Sequence, residues 1–484
     1  MLSWAHTGAG QSYLPVREVG LNQMNEQQGR PGKSSEGGAL ELLRIAAPLI
    51  VSYACDTIML FTDRLFLSRL SSAHMSAAMT GGLSSFMFST FFVGLIGYTT
   101  AMVAQRLGAE KKSLCATIAT QGGLVALGAY PVLLLLIPVG RKLFEMSGIA
   151  AEELRLQTEY FTILMLGAAL PLLRSSFANF FSGIGRTRLV MLAAVVSMAV
   201  NVGLNYILIF GKLGMPALGI RGAAFGTITA GGVGVLVLVL AYFRKANQLE
   251  FNVFGGLRFD KSLMQELWRL GAPSGVELFL NLLAFTLLIT IFHSQGLVVA
   301  AAVTITFNWD MVAFIPLLGI NVGVTTLVGR YVGKKNLMIA HKSMKSGLLL
   351  AIGYMAALMV LFATLPEPLV VLFKPSEVGE HWGTVEALAV QMVQLISIYL
   401  LADAITIVFS GALRGAGDTF WTMILSVTIH WSLVAVTFAS FHIAALGPLH
   451  TWVAVIAIFC LLSVVYVLRY FKGGWRSKAM KLVD

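Results

Sequence analysis

The sequence predicts an all-α membrane protein with twelve transmembrane helices in two pseudo-symmetric six-helix lobes. Three observations predict it. Of 484 residues, 57% are hydrophobic and only 12% are charged, whereas a soluble chain carries about 25% charge. Polar groups that sparse cannot cover the apolar surface of a folded chain, so lipid must cover it. The apolar residues gather into twelve runs of roughly the 20 residues that cross a hydrocarbon core. The runs of the second half also repeat short motifs of the first at a near-constant offset.

The elements follow in chain order. Residues 1–38 are polar and rich in Gly, Gln and Ser. They lack the apolar core of a cleavable signal peptide and read as a disordered cytoplasmic tail. Gly29-Arg30-Pro31-Gly32-Lys33-Ser34 is close to a phosphate loop, but Gln27 stands where that motif needs glycine. ATP is therefore not expected as the energy source, and no ATPase subunit is expected. An N-lobe over 39–243 holds spans at roughly 45–68, 77–102, 114–138, 158–181, 188–211 and 221–243. A cytoplasmic linker over 244–267 joins it to a C-lobe over 268–472. The C-lobe spans lie at roughly 270–293, 299–328, 341–364, 386–411, 419–442 and 449–471. Residues 473–484 form a basic cytoplasmic tail. The longest connections, near 244–267 and 365–385, are too short for a further domain.

The net charge of +11 sits in short loops, which speaks for topology rather than nucleic-acid binding. With the amino terminus inside, 25 of the 34 Lys and Arg residues fall on the cytoplasmic side and seven on the other. Arg64 and Arg174 lie near or within spans and are left out of that count. The bias places both termini in the cytoplasm, and the expected location is multi-pass in the plasma (inner) membrane. Cys55, Cys115 and Cys460 are far apart inside apolar runs, with no disulfide or metal spacing.

The halves repeat. Pro48 and Pro273 open the first and seventh spans, 225 positions apart, and Val103 and Gly108 answer Val328 and Gly333 at the same offset. Gly185-Arg186-Thr187 answers Gly417-Asp418-Thr419 at an offset of 232. An even number of spans per half makes the repeat parallel, and such repeats place a substrate cavity between the halves near the midplane. A His-Glu-x-x-His pair and a Gly-x-Ser-x-Gly elbow are both missing, so an enzyme is not expected.

A charged side chain at mid-bilayer costs about 2.5–3.5 kcal/mol on insertion scales. Asp56, Asp63, Glu277, Asp310 and Asp403 therefore stand out as functional candidates. Asp56 and Asp63 share a helix face, about 10 Å apart along the axis. Burial favours a neutral carboxyl and a bound cation favours the ionised one. An ion-coupled carrier needs that opposition. His430 is a candidate proton relay set against a neutral buried histidine. Pro48 removes one helical hydrogen bond and is a candidate hinge.

Several segments resemble the multidrug and toxic compound extrusion (MATE) transporters over residues of about 40–470. Asp63-Arg64-Leu65-Phe66-Leu67-Ser68 is similar to the family's first-helix Asp-x-x-Phe-x-Gly. Val103-Ala104-Gln105-Arg106-Leu107-Gly108-Ala109 is similar to Val-Ala-Gln-x-x-Gly-Ala. The segment from Asn201 to Phe210 resembles the fifth-helix Asn-x-x-Leu-(Asp/Asn) pattern, and Gly222 to Thr227 the start of the sixth helix. Ser410 to Thr419 resembles the loop after the tenth helix and is the most specific of the set.

The resemblance implies two lobes in a V and export of organic cations and other drugs, by antiport with H⁺ or Na⁺ and with no other cofactor. It implies that Asp63 belongs to an N-lobe cation site with Asn201, Asn205 and Thr227. These side chains offer several oxygens, so Na⁺ there is the sole metal entertained. Some members carry Asp where this chain has Asn205, which tips a lone Asp63 modestly towards H⁺. Asp56 is the expected replacement carboxylate. In the C-lobe, Asp403 matches a family carboxylate, while the family's seventh-helix glutamate aligns with Asn281. Glu277, one turn earlier, is the expected substitute. Glu277, Asn281, Asp310 and Asp403 are thus expected to form one cluster for a cation or substrate. The runner-up is a lipid-linked oligosaccharide flippase of the same superfamily, for which Arg64 and Arg174 speak. Small-molecule drugs and membrane lipid are the expected partners, and nucleic acid is not.

Overall fold

The computed structural model describes residues 36–374 and 381–481, so nearly all of the expected amino-terminal tail lies outside the described residues. Every regular element among the described residues is a helix. Ten of the expected spans are α1 (Ala39–Ser68), α2 (Ser72–Gly108), α3 (Lys112–Glu145), α5 (Thr187–Phe210), α6 (Ile220–Tyr242), α7 (Lys261–His293), α8 (Leu297–Gly333), α9 (Leu337–Thr364), α10 (Trp382–Gly415) and α11 (Thr419–His442). The last is α12 (Pro448–Phe471), and the fourth, α4, is a pair, Ala151–Leu166 and Ala169–Gly183, bent by 47°. These helices are long and apolar enough to cross a membrane eleven times, or twelve with the bent pair as one span.

The expected span centres agree with these helices, but the helices are longer. α7 starts at Lys261, where the Asp260 side chain accepts from the Leu263 amide at 3.0 Å. That N-cap holds a polar first turn beyond the apolar stretch. α10 runs on to Gly415, so Arg414 is helical rather than in a loop. The expected linker contains a short helix, Lys245–Phe251. The expected carboxy-terminal tail begins with a helix, Gly474–Lys481, whose Trp475 is 1% exposed and stacks on Tyr470. Lys478 of that helix reaches the fully buried Asp418 at 2.5 Å, and Arg469 reaches the same carboxylate at 2.7 Å.

The packing follows the repeat. In the N-lobe α5 lies between α1 and α6, and α4 packs on α2, α3 and α6; in the C-lobe α11 lies between α7 and α12, and α10 packs on α8, α9 and α12. The lobes meet through α2 on α7 and α1 on α8, two contacts that the repeat exchanges. Gly94 lies against the backbone of Ser274 and Gly275, and its repeat mate Gly319 lies against Ile50 and Ala46. A methyl at Gly108 would sit 1.9 Å from the Arg330 carbonyl oxygen, and one at Gly333 2.0 Å from that of Gln105. Gln105 and Arg330 are again 225 positions apart. The ends of α2 and α8 therefore cross backbone to backbone on the pseudo-two-fold axis.

Polar contacts between the lobes gather at this end, which also carries both membrane-domain termini. Tyr331 donates to Glu41 at 2.9 Å, Arg106 pairs with Glu266 at 2.6 Å, and Gln105 donates to the Gly415 carbonyl at 2.8 Å. Towards the other end of the same four helices, Phe61, Phe86, Leu278 and Met311 are exposed.

Candidate ion and substrate sites

The first site forms where α1, α5 and α6 meet. α6 lies close on α5 because its packing face is glycine: a methyl at Gly222 would meet the Leu208 carbonyl at 2.6 Å, and one at Gly226 the Asn205 side-chain oxygen at 1.9 Å. Asn201 and Asn205, four residues apart, point to one side of α5 and are fully buried. Asp63 turns inward and is 4% exposed, whereas Arg64, about 100° around the helix, is exposed.

These residues bond to one another. Asp63 Oδ2 accepts from the Thr227 hydroxyl at 3.0 Å, Asp63 Oδ1 accepts from the Asn205 amide, and Asn201 donates to Thr227 Oγ1 at 3.3 Å. The Oδ1 atoms of Asn201 and Asn205 are buried without a hydrogen-bond partner among the described residues. No lysine or arginine pairs with Asp63 among the described residues. The site is thus a buried carboxylate ringed by neutral polar groups, with acceptors left over. Unmet acceptors in a dry site are costly, and a cation would relieve that cost.

Asp56 does not join this network. Both terminal nitrogens of Arg174, on α4, lie 2.9 Å from its Oδ1, and one lies 3.2 Å from Oδ2. The expected second carboxylate is instead neutralised, because a guanidinium inside the lobe needs a counter-charge as much as the carboxylate does.

The expected C-lobe cluster is two groups. Glu277, 3% exposed, receives Arg414 at 2.8 Å, and its second oxygen is buried without a partner. Asn281, one turn on, donates to Ser426 at 2.8 Å, and the His430 ring bonds the Ser426 carbonyl at 2.8 Å. The separation arises because α10 carries Arg414 inward to Glu277, while Asp310 on α8 bonds to Tyr399, nearer the other end of α10. Asp310 accepts from the Tyr399 hydroxyl, and Asp403 follows Tyr399 by one turn of α10. Sequence reasoning missed Tyr399 and Arg414. Tyr399 had a signal, since it precedes Asp403 by four residues and so shares its helix face. Arg414 had none, because its motif read as a loop.

Pro48 is buried within α1, which continues through it as helix.

The chain is 28% identical over 447 residues to the probable multidrug resistance protein NorM of Thermotoga maritima, covering 91% of this chain and 94% of that one. It is 27% identical over 452 residues to the protein of the same name from Shewanella oneidensis, covering 90% and 95%. Its fold matches a MOP superfamily transporter from Pyrococcus furiosus, described as having a binding pocket of reverse polarity, with a TM-score of 0.82. That match has 19% identity and covers 92% of this chain and 97% of the other. It also matches the outward-facing conformation of a multidrug resistance MATE family transporter, with a TM-score of 0.81, 20% identity and 91% and 96% coverage. The MatE family model matches residues 48–207 and 273–438, one stretch in each lobe. With both repeats matched and the helical frame in place, the chain belongs to the MatE family of multidrug and toxic compound extrusion transporters, which move solutes across membranes and are not enzymes.

Proposed function

We propose that the protein exports organic cations and other drugs by antiport with H⁺ or Na⁺ through alternating access, with Asp63 as the coupling carboxylate. The observation that carries this reading is a buried carboxylate without a basic partner, held by Asn205 and Thr227 beside two unmet amide oxygens. An ion entering there neutralises Asp63. Coupling requires that the ion bind one conformation better than the other, and a site built across α1, α5 and α6 changes whenever those helices move. Pro48 is the proposed hinge of α1. Asp310, Tyr399 and Asp403 form a second group suited to a cation in the C-lobe. Glu277 is already matched by Arg414 and so serves position rather than ion binding. The names of the NorM relatives support drugs as cargo. The charge bias of the loops supports both termini in the cytoplasm, and the plasma (inner) membrane is the proposed location.

The flippase alternative calls for basic groups facing the cavity. Arg174 is neutralised by Asp56, which speaks against it. The test is efflux of a fluorescent organic cation from liposomes, with a pH gradient and a Na⁺ gradient imposed separately. One gradient is expected to drive transport and so name the ion. Transport under neither gradient would overturn the reading and return the flippase.

A further inference from the structure

The Asp56–Arg174 pair occupies the same lobe as the Asp63 network but takes no part in it. Asp56 precedes Asp63 by two helical turns on one face of α1, about 10 Å along the axis. Arg174 comes from the second half of α4, which is enclosed by α2, α3, α5 and α6. Its neighbours Leu172 and Ser176 are buried, yet the Arg174 side chain is 21% exposed and that of Asp56 38%. A paired aspartate and arginine within spans face the bundle interior or a water-filled cavity rather than hydrocarbon, so this exposure is assigned to a hollow beside α1, α4, α5 and α6. Gly234 of α6 lies beside the Arg174 stem and leaves room for the Ser197 hydroxyl of α5, which a methyl there would meet at 2.3 Å and which is buried without a partner among the described residues. Asp63 stands between the same α1, α5 and α6.

We propose that Arg174, by cancelling Asp56, sets the charge selectivity of this hollow in favour of singly charged over doubly charged organic cations. The inference rests on the transport reading above. With the pair intact, Asp63 is the one carboxylate near the hollow without an arginine pair among the described residues, and a second positive charge on the cargo finds no second unpaired carboxylate. Removing Arg174 alone exposes a second carboxylate two turns deeper. At an effective dielectric constant of about 20 and a separation of about 10 Å, one unit charge changes an affinity by about tenfold or somewhat more.

The experiment measures binding of a monocation, tetraphenylphosphonium, and a dication, methyl viologen, to the purified full-length protein in nanodiscs. The wild type is compared with Arg174→Gln, Asp56→Asn and the double variant, and the readout is the ratio of the two affinities. Arg174→Gln is expected to shift the ratio about tenfold towards the dication, and the double variant to return it to the wild-type value. Asp56→Asn, which leaves an uncompensated guanidinium, is expected to weaken the dication about tenfold more than the monocation. If Arg174→Gln does not fold, the Asp56→Asn arm decides alone. A ratio within twofold of wild type in a folded single variant overturns the inference and leaves the transport reading standing. A wild type that binds neither probe overturns both.

Discussion

At the scale of single residues, the chain treats its intramembrane carboxylates in two ways. Asp56 and Glu277 are given arginines, whereas among the described residues Asp63, Asp310 and Asp403 are given only neutral donors or none. A buried ion pair is fixed chemistry, since stripping one partner strands the other at a cost of several kcal/mol. A carboxylate among neutral donors keeps the freedom to gain and lose a cation. The two classes should respond oppositely to charge removal. Asp63→Asn is expected to abolish gradient-driven efflux, by 100-fold or more, while leaving thermal stability in detergent unchanged or raised. Glu277→Gln is expected to lower stability by about 3 kcal/mol, since it leaves the guanidinium of Arg414 unmatched. Replacing both by similar-sized apolar residues should restore most of that loss. Thermal unfolding followed alongside liposome efflux separates the two outcomes. Efflux surviving in Asp63→Asn would transfer the coupling role to Asp310 and Asp403.

At the scale of elements, hydropathy finds the part of a helix that lies in hydrocarbon and is blind to the part that continues into water. The centres of the spans were legible for that reason, and the ends were not: Lys261 to Leu267 and Arg330 to Gly333 are helical through capping and packing rather than hydrophobicity. The same blindness hid Arg414, and with it the division of the C-lobe acids. The Asp63 network was legible through the family resemblance, because its members sit in matched motifs. The partner of Asp56 was not, because Arg174 is 118 positions away and no periodicity links them. Two element-scale expectations follow. Gly226→Ala drives a methyl into the Asn205 side chain, so it should displace the donor to Asp63 and cut efflux about tenfold or more without unfolding the lobe. Deleting residues 474–484 removes Lys478 from the fully buried Asp418 and Trp475 from Tyr470. That truncation should lower the unfolding temperature while efflux by the folded fraction survives. Loss of efflux at full stability would instead assign the helix a part in transport.

At the scale of the whole molecule, the internal repeat also governs how the halves touch. Each contact between the lobes has a mate: α1 on α8 answers α7 on α2, Gly319 answers Gly94, and Gly333 answers Gly108. A parallel repeat places its axis along the membrane normal, and a contact on that axis is one the two halves share equally. Around the Gly108–Gly333 crossing lie Glu41 with Tyr331, Arg106 with Glu266, and Gln105 with Gly415. If the lobes rock, this end must part for a cavity between them to open on the side of the termini. The close approach depends on the missing side chains, because what a methyl would strike is a backbone carbonyl that cannot swing away. Gly108→Ala and Gly333→Ala should therefore each hold the lobes apart at this end, and to a similar degree, since the repeat exchanges them. A cysteine at the buried Ala104, in a background without Cys55, Cys115 and Cys460, reports the change. A membrane-impermeant maleimide added from the terminus-bearing side should label it at least fivefold faster in either alanine variant. Labelling as slow as in the glycine parent would mean that α2 and α8 slide past one another without separating, so that opening does not occur at this crossing.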